Sequence, residues 1–176
     1  MNMINPYDLG SRFDVPLMEI GSDLIQQFHR HWLRLCSSNL LPSRSDIDPA
    51  NLKKILPNVI LADVQRDPFR IRYRLCGTRV AEVCGNLTGR YLDEFQGKDL
   101  WSAAAFLQQY RTAVHHCRPV FSQDWMTGAF DARFKVQIGI WPLAGGGRNV
   151  DMCVAVEDYL NLKRADMAFS RVAQPF

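Results

Sequence analysis

The residues that most often carry chemistry are scattered through this sequence. Its four histidines stand at positions 29, 31, 115 and 116, and its five cysteines at positions 36, 76, 84, 117 and 153. No two cysteines form a C-x-x-C pair, so the spacing favours neither a disulfide framework nor a zinc site. His29 and Cys36 are seven residues apart. On a helix this separation is about 10 Å, at ~1.5 Å per residue, which is too far for a nucleophile and its base.

The remaining patterns with chemical meaning are weak. The sequence contains no G-x-S-x-G run and no paired carboxylates of the kind that glycosidases use. Residues 145–147 are three glycines, as in a phosphate-binding loop, but they join two predicted strands and no helix starts after them. We therefore expect no catalytic residue and no metal site, and we expect that the protein is not an enzyme.

Composition and charge predict the type of protein and argue against nucleic-acid and membrane partners. The chain has 176 residues, of which 47% are hydrophobic and 22% are charged, and its net charge is +3. These values predict one soluble globular domain. Because no basic run gathers the positive charge, we expect no nucleic-acid partner. No stretch approaches ~18 apolar residues, so we expect no membrane insertion. The absence of a signal-peptide pattern and the unpaired cysteines predict a cytoplasmic protein.

An amphipathic helix is predicted from Ser22 to Cys36, after an irregular arm over residues 1–20. Its apolar side chains recur at spacings of three and four, and such a stripe needs a sheet or a partner molecule to cover it. The stripe consists of Leu24, Ile25, Phe28, Trp32 and Leu35. We predict a dimer or partner surface formed by Leu24, Phe28, Trp32 and Leu35.

The rest of the chain shows strand and helix patterns in turn. A short helix is predicted over residues 50–56, between an Asp48–Pro49 cap and Pro57. Alternation predicts five strands, over residues 58–65, 69–75, 120–126, 132–142 and 150–158. Further helical segments are predicted over residues 78–84, 92–95 and 99–117. Residues 159–176 are predicted to be a tail, because their helical pattern is weak.

Three stretches carry a more specific pattern. They are Trp32 with Leu-Pro-Ser-Arg-Ser-Asp-Ile-Asp-Pro at 41–49, Leu-Pro-Asn-Val at 56–59, and Tyr-Arg-Leu-Cys-Gly-Thr at 73–78 leading to Leu-Thr-Gly-Arg at 87–90. Together they resemble the PAS domain, and in particular the bacterial PAS_5 subfamily. The resemblance implies an α+β fold with a five-stranded antiparallel sheet in the order 2-1-5-4-3. Helices on one face would frame an internal pocket, and an N-terminal helix would lie on the other face or in a dimer. The N-terminal and linker helices then occupy residues 21–56, and the PAS core occupies residues 57–158.

In such a fold, the inward side chains surround a pocket. Those expected there are Tyr73, Leu75, Val83, Phe106, Tyr110, Val136, Ile138, Met152 and Val154. The opposite strand faces, expected under the N-terminal helix, carry Ile60, Ala62, Cys76, Trp141, Cys153 and Ala155. A buried tyrosine hydroxyl needs a hydrogen-bond partner, which a small hydrophobic or amphipathic ligand would supply to Tyr73 and Tyr110.

The resemblance implies a stand-alone sensory or interaction module that binds a small ligand, a signalling protein partner or both, and that forms a homodimer. Because no kinase, cyclase or DNA-binding segment is recognised, we expect output through protein contact. No cofactor is required.

Three alternative functions differ from the sensory module. One is a haem-binding gas or redox sensor, although the apolar stripe of the long helix meets only the edge of His116. A flavin photoreceptor is disfavoured, since residues 86–91 contain no cysteine. A small α+β enzyme with a cone-shaped pocket is the third alternative, but the predicted pocket offers no acid–base pair.

Overall fold

A computed structural model describes residues 12–36, 40–94, 100–127, 133–145, 149–160 and 162. Its helices are α1 (Asp23–Leu35), α2 (Thr78–Cys84) and α3 (Leu100–His116). Its strands are β1 (Arg12–Phe13), β2 (Val59–Gln65), β3 (Arg70–Cys76), β4 (Val120–Thr127), β5 (Arg133–Ala144) and β6 (Val150–Tyr159). Short 3₁₀ turns lie at Leu17–Glu19, Arg44–Asp46, Pro49–Leu52, Leu56–Asn58 and Leu92–Glu94. None of the helices in these ranges has the length and apolar character that a membrane crossing needs.

The strands form one antiparallel sheet in the order β1-β4-β5-β6-β2-β3. Counted from β2 to β6, the five longer strands follow the predicted order 2-1-5-4-3. The α+β class with helices on an antiparallel sheet is therefore confirmed. The difference is one additional short strand, β1, at the β4 edge.

The additional strand lies in the arm for which the sequence predicts irregular structure. Phe13 lies opposite Ser122 of β4. The connection continues beyond the strand, because the Val15 N–H donates to the Phe121 carbonyl at 2.9 Å. The described part of the arm thus extends the edge of the sheet.

Both faces of the sheet are covered, each by different helices. On one face, α1 packs over the strands, and the rings of Phe28 and Trp141 meet edge to face with centroids 4.6 Å apart. On the other face, α2 and α3 bury Val80 and Tyr110 against the strands. We call these the α1 face and the inner face. The fold therefore has two apolar layers separated by one sheet.

Helix α1 is fixed to the sheet at its first turn. Ser22 caps the helix, since its Oγ accepts from the Ile25 N–H at 3.3 Å and donates to Asp158 Oδ2 at 2.5 Å. The Ser22 N–H donates to Gln137 Oε1 at 2.8 Å. Asp158 and Gln137 belong to β6 and β5, so two central strands hold the start of α1.

Two indole groups hold the rest of α1. The Trp32 Nε1–H donates to the Pro142 carbonyl at 3.1 Å, and the Trp141 Nε1–H donates to His29 Nδ1 at 3.2 Å. A buried indole N–H needs such a partner, so these bonds fix which way the helix lies on the sheet. Helix α1 is therefore a layer of the domain.

The stretches that resemble PAS_5 contact one another in the fold. The Gly77 N–H donates to the Val59 carbonyl at 2.7 Å, and a Cβ on Gly77 would collide with the Pro57 carbonyl. The Gly89 N–H donates to the Tyr73 carbonyl at 2.7 Å, and Gly89 has a φ of +86°, which favours glycine. These glycines allow the loop backbones to lie directly against β2 and β3.

The helix predicted over residues 50–56 is instead two 3₁₀ turns. Asp48 caps the first turn as expected, because its Oδ1 accepts from the Ala50 N–H at 2.9 Å. Pro57 lies inside the second turn. Since proline has no N–H and clashes with the preceding turn, an α-helix cannot continue through it.

Candidate ligand-binding site

The inner face gathers most of the side chains that the sequence predicts for a pocket. One cluster between the sheet and helices α2 and α3 contains six of them, namely Tyr73, Val83, Phe106, Tyr110, Val136 and Ile138. Four are buried, whereas Val83 and Phe106 are partly buried at its margin. The strand side chains and the helix side chains that are expected to surround the pocket therefore lie in one cluster.

Leu75 is a correction to the predicted pocket, because its side chain is 47% exposed. Leu61 pairs with Leu75 but Ala62 pairs with Tyr73, so β3 carries one extra residue between the two pairs. A β-bulge of this kind moves the residues after it to the opposite face. Cys76 takes the inward place instead.

The two faces of β6 are also the reverse of the prediction. Met152 and Val154 pack on the α1 face, whereas Cys153 and Ala155 belong to the inner cluster. Alternation separates two sets of side chains, but where both faces of a strand are buried it does not tell which set meets which layer. The smaller side chains of β6 therefore face the inner layer.

The side chains expected under the N-terminal helix need the same correction. Ile60, Ala62 and Cys76 belong to the inner cluster, together with Cys153 and Ala155. Trp141 is the member of that expected set that lies under α1.

The predicted dimer or partner surface on α1 is wrong for its two aromatic residues. Phe28 is 0% exposed and Trp32 is 5% exposed, because the sheet of the same chain covers them. Leu24 and Leu35 are partly buried at the edges of this contact. The apolar stripe of α1 is therefore not free to receive a second molecule.

Polar side chains on β4 and β6 face the inner layer. Residues paired across a sheet share a face, and Ser122, Ile138 and Glu157 form one such row over β4, β5 and β6. The neighbouring row joins the buried Asp124 of β4 to Val136 and Tyr159. Because Ile138, Val136 and Tyr159 belong to the inner cluster, Ser122 and Glu157 face it as well.

Glu157 and Tyr159 form a buried pair, in which the Tyr159 hydroxyl donates a short hydrogen bond to Glu157 Oε2. Burial raises the pKa of Glu157, and the bond from Tyr159 opposes that rise. Burial also raises the pKa of Tyr159 well above its ordinary value. The Cys84 sulfur completes the group, 3.6 Å from the Tyr159 hydroxyl. The surroundings thus favour the uncharged form of both side chains.

Tyr73 and Tyr110 lie near the same carboxyl group. Burial is the main reason that the pKa of each phenol is well above its ordinary value. Glu157 adds to both pKa shifts, and Tyr73 adds to that of Tyr110. Both phenols therefore act as neutral hydrogen-bonding groups.

Gln109 brings an unpaired amide to this layer. It is 3% exposed, and neither its Nε2 nor its Oε1 has a hydrogen-bond partner among the described residues. It lies three residues after Phe106 and four before Ala113, which both belong to the inner cluster, so it is on the helix side that faces the sheet. The Ser122 hydroxyl is likewise buried without a partner in the described ranges. A buried polar group without a partner is unfavourable by about 1–3 kcal/mol.

The sequence prediction of the site omits Gln109, Ser122, Glu157 and Tyr159. A signal for Glu157 exists, because it continues the alternating set that contains Cys153 and Ala155. Because the sequence pattern predicts that set on the α1 face, it does not place Glu157 in the pocket.

The haem alternative finds no histidine in the described part of the inner cluster. His115 and His116 are exposed near the end of α3, with ring centroids 4.9 Å apart. A haem ligand has to point into the pocket. Across the described ranges, no three His, Cys, Asp or Glu side chains are grouped as a metal site would require.

Two solved structures share the arrangement of sheet and helices. VqmA bound to DPO superposes with a TM-score of 0.52 at 17% identity, over 65% of this chain and 58% of that chain. The Vibrio cholera VqmA–ligand–DNA complex superposes with a TM-score of 0.52 at 15% identity, over 73% of this chain and 58% of that chain. At these identities the likeness shows the fold alone, and this chain spans less than two thirds of either relative. No protein of curated function matches the sequence.

The family is shown by a more extensive match. The model of PAS_5, described as a PAS domain, matches residues 21–146. This range holds α1, α2, α3 and strands β2 to β5, as well as the three stretches quoted above. The chain therefore belongs to the PAS_5 family of PAS domains.

Proposed function

We propose that this PAS domain is a sensory module whose inner face binds a small uncharged ligand. The ligand lies between the central strands and α3, beside the amide of Gln109. It both donates and accepts hydrogen bonds at one edge, and it presents apolar surface to the side chains of Val136 and Ile138.

The unpaired amide of Gln109 is the observation that carries this proposal. A leucine of similar size would pack in an apolar layer without the penalty of an unsatisfied amide, so packing does not explain a glutamine there. The amide offers two donor hydrogens and a carbonyl acceptor. A ligand with a complementary edge removes the penalty, and Ser122 offers a second contact on the strand side.

The surroundings support an uncharged ligand. No lysine or arginine is among the buried residues of the described chain. The partly buried Arg79 lies 6.0 Å from the Tyr159 ring but already pairs with Glu82, so an anion in this layer would have no unpaired counter-charge. Burial favours the neutral form of Glu157 and of both tyrosines. Apart from the carboxyl group of Asp124, which is buried on the same face of the sheet, the groups that the site offers are neutral donors and acceptors.

Neighbouring residues on the central strands connect this site to α1. Glu157 faces the inner layer, while the adjacent Asp158 accepts from the Ser22 hydroxyl at the start of α1. Ile138 faces the inner layer, while the adjacent Gln137 accepts from the Ser22 N–H. We propose that ligand binding shifts these two strands and so changes how firmly α1 is held.

We propose that the signal leaves through protein contact, with a signalling partner or a second copy, at the outer side of α1. Leu33 is 51% exposed on that side. That the protein is not an enzyme, needs no cofactor, lies in the cytoplasm and binds no nucleic acid stays a prediction in each case.

Replacing Gln109 by leucine separates the stability of the protein from its ligand binding. Because the substitution removes an unsatisfied amide, we expect the ligand-free variant to melt above the ligand-free wild type, by roughly 2–4 °C for each kcal/mol relieved. A small-molecule extract of the host should raise the Tm of the wild type and leave that of Gln109→Leu unchanged. Thermal unfolding with and without the extract measures both effects.

Gln108 is the matched control, because it is the neighbouring glutamine on α3 and is exposed. Gln108→Leu should keep the wild-type Tm and the wild-type response to the extract. If Gln109→Leu responds to the extract as strongly as the wild type does, the proposed site is wrong.

A further inference from the structure

A concavity lies on the far side of the sheet from the inner face, between α1 and the turn Pro49–Leu52. Its volume is about 490 Å³, which is within the range of roughly 300–1,000 Å³ for small-molecule sites. Its lining includes Arg30, His31 and Arg34 of α1 and, on the opposite wall, Asn51, Leu52 and Ile55. We call it the linker cleft, because one wall is the segment that links α1 to the sheet.

The α1 wall of the linker cleft is cationic. Arg30 and Arg34 are four residues apart, so both side chains leave the same side of the helix. Both are exposed, and neither forms an ion pair with a carboxylate in the ranges that the structure describes. Lys53 is exposed on the segment opposite. The cleft therefore has positive charge that the protein itself does not neutralise.

His31 adds a buried polar atom to the α1 wall beside the two arginines. The residue is 9% exposed, and its Nε2 is buried without a hydrogen-bond partner among the described residues. Burial lowers the pKa of His31, Arg34 lowers it further, and Asp48 opposes both effects. The neutral imidazole is thus favoured, and it carries one N–H that can donate to an anion.

The opposite wall supplies apolar surface. Leu52 and Ile55 are each 4% exposed and pack in the α1 layer. We propose that the linker cleft binds a small amphipathic anion, with a phosphate or carboxylate group held by Arg30, Arg34 and His31 and an apolar part against Leu52 and Ile55. Asn51 lines the opposite wall, where its Nδ2 donates to Asp48 Oδ2 at 3.4 Å.

A small molecule fits this cleft better than an acidic protein surface. The cleft is a concavity of about 490 Å³ with residues on two opposite walls, so a small molecule can enter it, whereas a flat protein surface would contact only its rim. The cleft shares no lining residue with the inner face, and the sheet lies between them. This proposal therefore does not depend on the ligand proposed for the inner face.

Titration calorimetry with phenyl phosphate, benzoate and phenol tests the linker cleft. We expect saturable binding of at least one of the two anions and none of phenol, and the better anion identifies phosphate or carboxylate as the group recognised. The double variant Arg30→Gln with Arg34→Gln should bind at least about tenfold more weakly, because two charge-assisted contacts are lost. His31→Phe, which keeps a ring in the α1 layer, should weaken binding as well.

Two controls locate the binding. Arg72→Gln with Arg74→Gln removes the same charge from β3, outside the cleft, and should leave the affinity within about twofold. Gln109→Leu should leave it unchanged, which separates this cleft from the inner face. The proposal is overturned if neither anion binds saturably, if phenol binds equally well, or if the Arg30 and Arg34 double variant keeps its affinity. Binding of a glutamate-rich peptide without binding of the small anions would also overturn it.

Discussion

Glu157 is a carboxylic acid in an apolar layer, with one hydrogen bond from Tyr159 to replace its water. In the unfolded chain its proton leaves near the ordinary pKa of 4.5, whereas burial raises the pKa in the folded chain. Between these two values the folded state binds more protons than the unfolded state. The contribution of Glu157 to stability is therefore greatest below pH 4.5 and decreases as the pH rises through the folded-state pKa.

Glu157→Gln should remove this pH dependence, because glutamine does not titrate and still accepts the bond from Tyr159. We expect the Tm of the variant to be close to that of the wild type at pH 4 and above it at pH 7.5. Each tenfold difference in proton affinity corresponds to about 1.4 kcal/mol, or roughly 3–6 °C in Tm for a chain of this size. Thermal unfolding by circular dichroism over this pH range measures the difference.

Glu94 gives the control for this measurement, since it is an exposed carboxylate in the turn before α3. Glu94→Gln should show a much smaller change with pH. A difference between Glu157→Gln and the wild type that stays constant or shrinks as the pH rises would contradict the raised pKa of Glu157.

At the scale of elements, α1 has one side that the sheet covers and one side that is exposed. Its stripe carries Phe28, which is 0% exposed, whereas Leu33 on its other side is 51% exposed. The same helix thus offers a buried and an exposed side chain for direct comparison.

Phe28→Ala should lower the free energy of unfolding by about 3–5 kcal/mol, because it leaves a cavity beside Trp141. Leu33→Ala should change it by less than about 0.5 kcal/mol. Chemical denaturation of the two variants measures both values. Equal, small effects at a fixed oligomeric state would mean that Phe28 is not covered by the sheet of its own chain.

The helices and strands follow closely from the sequence, but the layer that each strand face packs against does not. The stripe ending at Leu35 predicts α1, and the alternation around Val136 predicts β5, because each has a single dominant period. In β6, both alternating sets are apolar enough to be buried, so the pattern does not assign Val154 to its layer. Leu75 is misplaced for another reason, since a β-bulge leaves no mark in the spacing of side-chain types.

The candidate site is likewise predictable only in part. Tyr73 and Tyr110 are predictable, because they are bulky residues on inward positions of a strand and a helix. Gln109 is not predictable as a site residue. In sequence, a single polar residue in an apolar helical stripe cannot be distinguished from a polar residue at the edge of the exposed side of the helix. Its burial depends on how closely α3 approaches the sheet, which is a property of the packed layers.

At the scale of the whole molecule, β6 is the strand that joins the two parts of the sheet and carries polar residues on both of its faces. It pairs with β5 on one side and with β2 on the other. Without it, the sheet would separate into the β1-β4-β5 and β2-β3 parts. It also places Glu157 on the inner face and Asp158 on the α1 face, although it begins after residue 146, where the family match ends. The proposed coupling between ligand and α1 therefore passes through this central strand.

Native mass spectrometry of the protein purified from its own host tests the central claim most directly. We expect each folded chain to carry one non-covalent small molecule, which denaturing conditions release and which the Gln109→Leu protein from the same host lacks. A bare chain mass in every preparation, or the same molecule at equal occupancy in wild type and Gln109→Leu, would contradict a ligand site on the inner face.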